Sequence, residues 1–289
     1  MTSVVIAAHN EANVIGSCLD ALAAQRFSGP VDIVVSANGC TDDTAAVAAR
    51  AGVTVVDRAE AGKAAALNAG DRAATGFPRI YLDADIVVPP HGLATLEARF
   101  DVLPRPLAVV PRRRVDTAGR PWPVRAYFSI NALHPAFRTG LFGRGMIALS
   151  EAGRARFDDF PMLIADDLFL DSRFTAAEKA EVSDVEVVVE APRTTRDLVH
   201  RLVRVRRGNA QLRAAAAAGQ VDLPVRPADR WAWLRDVVVR EPRRAPAAIP
   251  YLVITIVAAL LARRPVKAGD GWGRDDSTRG PSAAEGTST

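Results

Sequence analysis

Three short apolar runs, at residues 4–8, 31–36 and 53–56, alternate with two segments of helical character. In the first segment Val14, Ile15, Cys18, Leu19, Leu22 and Ala23 keep the spacing of one helix face, which predicts a helix over 12–25. In the second, Thr41 is placed as an N-cap, Asp42 and Asp43 fall in the first turn, and Gly52 ends the helix. Asn38-Gly39 makes the turn between strand and helix. A β-α-β-α-β order requires crossover connections, and these give a parallel sheet covered by helices. The class is therefore α/β. Ligands of such sheets bind in the loops beyond the carboxyl ends of the strands, where His9, Asn10, Glu11 and Asn38 fall. No G-x-G-x-x-G follows the first run and no P-loop is present, so neither a dinucleotide fingerprint nor a Walker NTPase is read.

A further apolar run, Ile80, Tyr81 and Leu82, leads into Asp83 and Asp85, with a single alanine between them. In an extended segment these two carboxylates share a face, and paired oxygens suit a hard divalent cation. A solvated turn after a strand is the other reading. Before this run, Gly62-Lys63 opens an alanine-rich helical stretch that contains Asn68. A lysine in a first turn opposes the helix dipole unless an anion docks there; otherwise it is a surface lysine. Asn68 is either a polar residue on the buried face or a ligand contact.

Val5, Ala8, Asn10 and Glu11, then Asn38 with Thr41 and Asp42, then Lys63 with Asn68, then Asp83 and Asp85, stand in the order and spacing of a known family. Together they resemble a family 2 glycosyltransferase of the GT-A fold, over about the first 85 residues. Two departures are visible. Ala7 stands where the family has proline, and Ala37 and Asn38 stand where it has two aspartates. The resemblance implies that Ala8, Asn10, Glu11, Asn38 and Lys63 line a nucleotide pocket. Asp42 matches as well, and is also a helix-dipole partner. Asp83 would meet ribose or metal, and Asp85 would hold the Mn²⁺ or Mg²⁺ that bridges the diphosphate.

Beyond Asp85 the chain is predicted to form a helix over 91–103 and a strand over 107–111, followed by Arg112-Arg113-Arg114. That run is a solvated face, or a contact for an anionic acceptor or lipid headgroups. Residues 121–137 are rich in aromatics, as core or as an acceptor wall. The glycine segment 140–149 resembles the one that approaches donor and acceptor, with Gly145 as its contact; a β-turn is the alternative. Asp166-Asp167 precedes an apolar helical run, as cap and first-turn acid. By the resemblance it is the acidic pair whose second member, Asp167, is the catalytic base, with Asp166 in place of glutamate. An inverting transfer needs such a base to take the proton of the attacking hydroxyl.

A strand is predicted over 181–189, and Thr194 to Asp197 reads as a capping box. The following helix places Leu198, Leu202, Val205 and Leu212 on one face. Seven arginines and one acid lie between positions 193 and 213. No nucleic-acid module accompanies them, so nucleic acid is not an expected partner. Arg204 and Gly208 keep part of the family's Q-x-x-R-W region, without its glutamine and tryptophan. Arg204 and Arg207 are assigned to the diphosphate, and His200 reads as a surface histidine. Residues 219–244 read as a linker with a short helix near Trp231 and Trp233. Residues 247–262 carry no charge and are bracketed by arginines. They are short for a span, and are read as an interfacial anchor, a short span or a buried helix. The tail 265–289 is expected to be disordered.

These readings divide the chain into a GT-A domain over 1–218, a linker over 219–244, a hydrophobic helix over 245–264 and the tail. Two cysteines, Cys18 and Cys40, supply neither a metal spacing nor a disulfide framework. The N-terminus passes straight into a strand, so no secretory leader is expected. The implied partners are a UDP- or GDP-type nucleotide sugar and a hydroxyl acceptor. The implied location is the cytoplasm, at the inner face of the cell membrane, with peripheral contact through 245–264. Two alternatives stay open: a non-catalytic GT-A scaffold, and a sugar-phosphate nucleotidyltransferase. The second would carry a glycine-rich basic loop where Ala8, His9, Asn10 and Glu11 stand.

Overall fold

A computed structural model describes residues 1–265; the tail read as disordered lies outside the described residues apart from Pro265. The chain runs β1 (Thr2–Ala8), α1 (Ile15–Ala23), β2 (Val31–Asn38), α2 (Thr44–Ala48), β3 (Val53–Arg58), α3 (Lys63–Ala73), β4 (Arg79–Asp83) and α4 (Gly92–Arg99). It continues with β5 (Ala108–Asp116), α5 (Trp122–Asn131), α6 (Ala136–Thr139), β6 (Met146–Leu149), α7 (Glu151–Arg154) and α8 (Asp166–Arg173). Last come β7 (Lys179–Glu190), α9 (Thr195–Ala217) and α10 (Ala245–Ala262). The seven strands form one sheet in the order β3-β2-β1-β4-β6-β5-β7. β6 runs antiparallel to both β4 and β5, and the other pairs are parallel.

Alternation along the strands divides the core into two layers. Val4, Ile6 and Ala8 of β1, with Ile80 and Leu82 of β4, face Ile15, Cys18, Leu19 and Leu22 of α1 and Leu93 and Leu96 of α4. Val5 and Tyr81 face the opposite layer, with Leu67 of α3 and Phe169 of α8. Because β6 is antiparallel to β4, with Met146 opposite Leu82, its first residue sits at the carboxyl end of β4. The glycine loop before β6 therefore arrives where β1, β2 and β4 end.

Some local expectations are corrected. Thr41 does not cap α2: the helix begins at Thr44 after Asp43, which makes no side-chain cap bond. The strand expected to end at 111 runs on to Asp116, so the three arginines 112–114 lie within β5. Their side chains alternate, and Arg112 and Arg114 both pair with Glu186. Val205 is 43% exposed, off the packed face of α9, whereas Leu198 and Leu212 are buried. The capping box at Thr194 and Asp197 forms as read.

The C-terminal region builds a third cluster. Val124, Tyr127 and Ile130 of α5 and Leu198 of α9 pack against Tyr251, Ile254 and Ala258 of α10. The stretch read as a linker joins in: Trp233, Val237 and Val238 are buried in this cluster, and Leu223 enters the core layer of α3 and α8. The stripe 251, 254, 258 is one face of α10. Its opposite face, with Ile249, Val253, Ile256 and Leu260, is exposed.

Candidate active site

The candidate side chains gather at the carboxyl edge of the sheet. Lys63, the first residue of α3, places Nζ 3.0 Å from Oδ1 of Asp83 and 2.8 Å from Oδ2 of Asp166. Burial alone would lower its pKa, but Asp166, Asp83 and Asp167 outweigh that and hold it well above the ordinary lysine value. The anion expected at this helix start is therefore supplied in part by the protein's own carboxylates. A cavity of about 20 Å³ lies among Lys63, Asp83, Gly145, Asp166 and Asp167.

Asp166 and Asp167 occupy the first turn of α8, and Ala165 rather than either of them is the N-cap. Asp167 Oδ2 accepts the backbone N–H of Gly143 at 3.1 Å. Burial, followed by the charge of Asp166, pushes the Asp167 carboxyl up to about 7; Lys63 and the Gly143 bond pull the other way. A carboxylate with that pKa is suited to general-base work near neutrality.

Asp83 ends β4, and Asp85 lies exposed in the turn that follows. The Ile86 N–H bonds to the Asp83 carbonyl at 3.2 Å and closes this turn. The extended geometry expected to put both carboxylates on one face is thus replaced by a bend. Both still act on one buried group: Cys18 is pushed up to about 12 by burial, then by Asp85 and Asp83. Gly145 has φ +68°, and a Cβ there would stand 2.5 Å from Ile86 and 3.3 Å from Asp83 Oδ2. Its carbonyl accepts the Asp83 N–H at 2.7 Å, so only glycine fits this approach.

The residues predicted to line a nucleotide pocket divide into rim and support. Asn10, at φ 52°, binds the backbone N–H of Thr41 at 2.8 Å through Oδ1 and donates to the Thr41 hydroxyl at 3.1 Å. Asp42 accepts from the Ala12 N–H and from the Thr44 N–H, the first of α2, each at 3.1 Å, so it ties the loop after β1 to the start of α2. Glu11 and Ala8 are buried. Asn38 is 1% exposed; its amide donates to the Ala8 carbonyl at 2.6 Å and accepts the Gly62 N–H at 2.9 Å. Its side chain is thus committed to tying β1 to the turn that carries Lys63, not presented to a base. Asn68 is also a support: its amide donates to the Phe160 carbonyl and accepts the Phe160 N–H.

Of the two arginines assigned to a diphosphate, Arg207 goes elsewhere. It donates to the carbonyls of Leu261, Ala262 and Arg264, capping the carboxyl end of α10. Arg204 is a half-buried residue of α9. Gly208 of the same helix has a role that its spacing did not show. A Cβ there would stand 1.6 Å from the Ile164 carbonyl oxygen, so α9 presses directly on the loop that leads into Asp166.

Three supports were missed. Asp171 is 1% exposed and accepts from Lys179 at 2.7 Å, Arg226 at 3.3 Å and the Leu141 N–H at 2.9 Å. Arg144, also buried, donates to the Pro111 carbonyl at 2.9 Å and pairs with Glu181 at 2.7 Å. Asp71 sits buried between Arg79, Arg154 and the Tyr81 hydroxyl. A charge inside an apolar run is the signal that could have found Asp171, since a buried acid requires a partner.

The family model described as Glycosyl transferase family 2 matches residues 3–153, more than half of the chain. The chain belongs to this family. No curated protein matches it in sequence. In structure this family 2 chain is similar to a mannosyltransferase of Pyrobaculum calidifontis in complex with GDP-Man and Mn²⁺. The two share 21% identity over 90% of this chain and 86% of that one, at a TM-score of 0.59. It is also similar to S. aureus TarS 1-349 in complex with UDP, with 18% identity over 71% of this chain and a TM-score of 0.51. The chain spans 63% of that TarS fragment and 38% of a longer TarS chain. These likenesses agree with the GT-A fold expected from the sequence.

Proposed function

We propose that the protein transfers a sugar from a nucleoside diphosphate to a hydroxyl acceptor, with inversion, at the carboxyl edge of the sheet. The observation that carries this is the convergence of Lys63, Asp83, Asp166 and Asp167 around one cavity in a family 2 chain. The nucleoside would lie over the loops fastened by Asn10 and Asp42, and the diphosphate beside Lys63.

A divalent cation fits this edge. One cation, the Lys63 ammonium, already stands between Asp83 and Asp166, and carboxylate oxygens are the donors that Mn²⁺ or Mg²⁺ takes. Among the described residues no three Asp, Glu, His or Cys side chains form a ready cage. Asp85 and Asp83 would therefore hold the ion, and donor oxygens and water would complete its shell. When bound, the ion would neutralise charge on the departing diphosphate. The chain's own residues do the rest. Asp166 anchors Lys63 beside the diphosphate. The Gly143 N–H aims Asp167. Asp167 takes the proton of the acceptor hydroxyl as that oxygen attacks the anomeric carbon from the face opposite the diphosphate, which inverts the centre. The similar P. calidifontis protein holds GDP-Man with Mn²⁺, which supports a nucleotide-sugar donor with a metal. The proposal is tested by whether the protein releases a nucleoside diphosphate from a nucleotide sugar, and whether that release requires Asp85. A scaffold or a nucleotidyltransferase would show no such release.

We also propose peripheral attachment to the inner face of the cell membrane through α10, in keeping with envelope glycan or glycolipid work. Among the described residues one helix, spanning 242–262, is long and apolar enough to cross a bilayer, and 22% of its 18-residue apolar window is buried. Its packed face lies against α5 and α9, however, and spanning would draw the α9 arginines into hydrocarbon. Lying in the interface suits it better: Ile249, Val253, Ile256 and Leu260 face out, with Trp122 and Trp231 exposed and Arg243 and Arg244 at its start. Cosedimentation with phosphatidylglycerol vesicles, lost in Val253→Glu/Ile256→Glu, is the expected result. Equal binding by the double variant would contradict it.

A further inference from the structure

Arg113 on β5 differs from its neighbours. Arg112 and Arg114, on the other face of the strand, share Glu186. Arg113 is half-buried, and the groups it meets are neutral: the Asn131 side-chain oxygen at 3.3 Å, the Gly143 carbonyl at 3.4 Å and the Phe137 ring, 4.0 Å below its guanidinium. The charges acting on it include Arg144 and Arg201, both cations. Burial first, then these cations, push its pKa down to about 10. Arg144 has Glu181; Arg113 has no such carboxylate among the described residues. A guanidinium partly withdrawn from water in a cationic neighbourhood is a costly arrangement that an anion relieves.

Its position gives the anion a role. Gly143 accepts from Arg113 through its carbonyl and donates to Asp167 through its N–H. A single glycine, at φ +72°, separates the guanidinium from the proposed base, and a Cβ on it would stand 3.0 Å from the Arg113 nitrogen. Phe137 and Phe142, edge to face at 5.5 Å, wall the same side.

We propose that Arg113 selects the acceptor: it binds a phosphate group carried by the acceptor molecule, and so presents that molecule's hydroxyl to Asp167. This rests on the assignment of Asp167 as base. Guanidinium forks bind phosphate through paired charge-assisted hydrogen bonds, and the Asn131 amide stands beside this fork.

The test uses the full chain with Mn²⁺ and saturating UDP or GDP. Glycerol 3-phosphate and glycerol are titrated separately, with the melting temperature as readout. Glycerol 3-phosphate should stabilise the wild type and glycerol should not. In Arg113→Gln the half-saturating concentration should rise about tenfold or more, with Arg113→Lys in between. The nucleotide response should be unchanged in both variants, which shows that they are folded. If glycerol 3-phosphate is silent but vesicles of phosphatidylcholine with phosphatidic acid stabilise the wild type and not Arg113→Gln, the phosphate is lipid-borne and the proposal stands. An identical phosphate response in Arg113→Gln overturns it. So does silence toward both phosphates, or loss of the nucleotide response in Arg113→Gln, which would place Arg113 in the donor site. A chain that responds to phosphate through Arg113 but to no nucleotide keeps the proposal and removes the donor reading instead.

Discussion

Asp167→Asn should lower the transfer rate by roughly 10²–10⁴ while nucleoside diphosphate still binds. The amide keeps the shape and can still accept the Gly143 N–H, but it cannot take a proton. The wild-type rate should fall as pH drops through about 7, because the base form of Asp167 is then lost. Stability should move the other way. The folded pKa of Asp167 is raised above the value in the unfolded chain, so between the ordinary carboxylate range and about pH 7 the folded form holds more protons. Stability is then lost as pH rises through that window. Asp167→Asn removes this cost and should be more stable than the wild type at pH 8, by up to about 4 kcal/mol, with the gain vanishing near pH 4. Thermal melts at the two pH values check this. A variant that melts lower at pH 8 would mean that the carboxylate is not strained in the fold. A variant with wild-type transfer would mean that Asp167 is not the base.

The second large effect belongs to a residue that holds the site without facing the chemistry. Asp171→Ala should cost roughly 3–5 kcal/mol, a fall in Tm on the order of 10 °C. It leaves Lys179 and Arg226 without their shared acid, and the Leu141 N–H without an acceptor. The Leu141 bond ties the glycine loop to α8, so transfer should fall as well. Asp171→Asn can still accept from Leu141, and should lose less. Melts of the two variants decide it; equal stability of wild type and alanine variant would show that these contacts carry nothing.

The parallel core was legible because apolar runs with period-2 faces, separated by helical spacing, allow few other arrangements. Lys63, Asp83, Asp166 and Asp167 were legible because charges at strand ends and helix starts must meet something. Asn38 is expected to meet the nucleotide and Asn68 is left open between ligand and buried support, because nothing in one sequence separates an amide that meets a nucleotide from one that satisfies buried backbone. Arg207 failed for a similar reason: an arginine on a basic helix can meet a phosphate or the carbonyls ending another helix, and only the packing of α10 on α9 decides. The Asp83–Asp85 bend depends on one backbone bond to Ile86 N–H that the spacing does not encode. Arg144 and Glu181, and Asp171 and Arg226, lie far apart in the chain.

The most direct test offers UDP-, GDP- and dTDP-linked sugars together with glycerol 3-phosphate and glycerol as hydroxyl acceptors, with and without Mn²⁺ or Mg²⁺, to the wild type and to Asp85→Asn, and measures release of nucleoside diphosphate. One nucleotide class should be turned over, only with metal, and Asp85→Asn should slow this by about 10² or more. Release that ignores both the metal and Asp85, or no release from any of them by a folded wild-type chain, would contradict the proposed function.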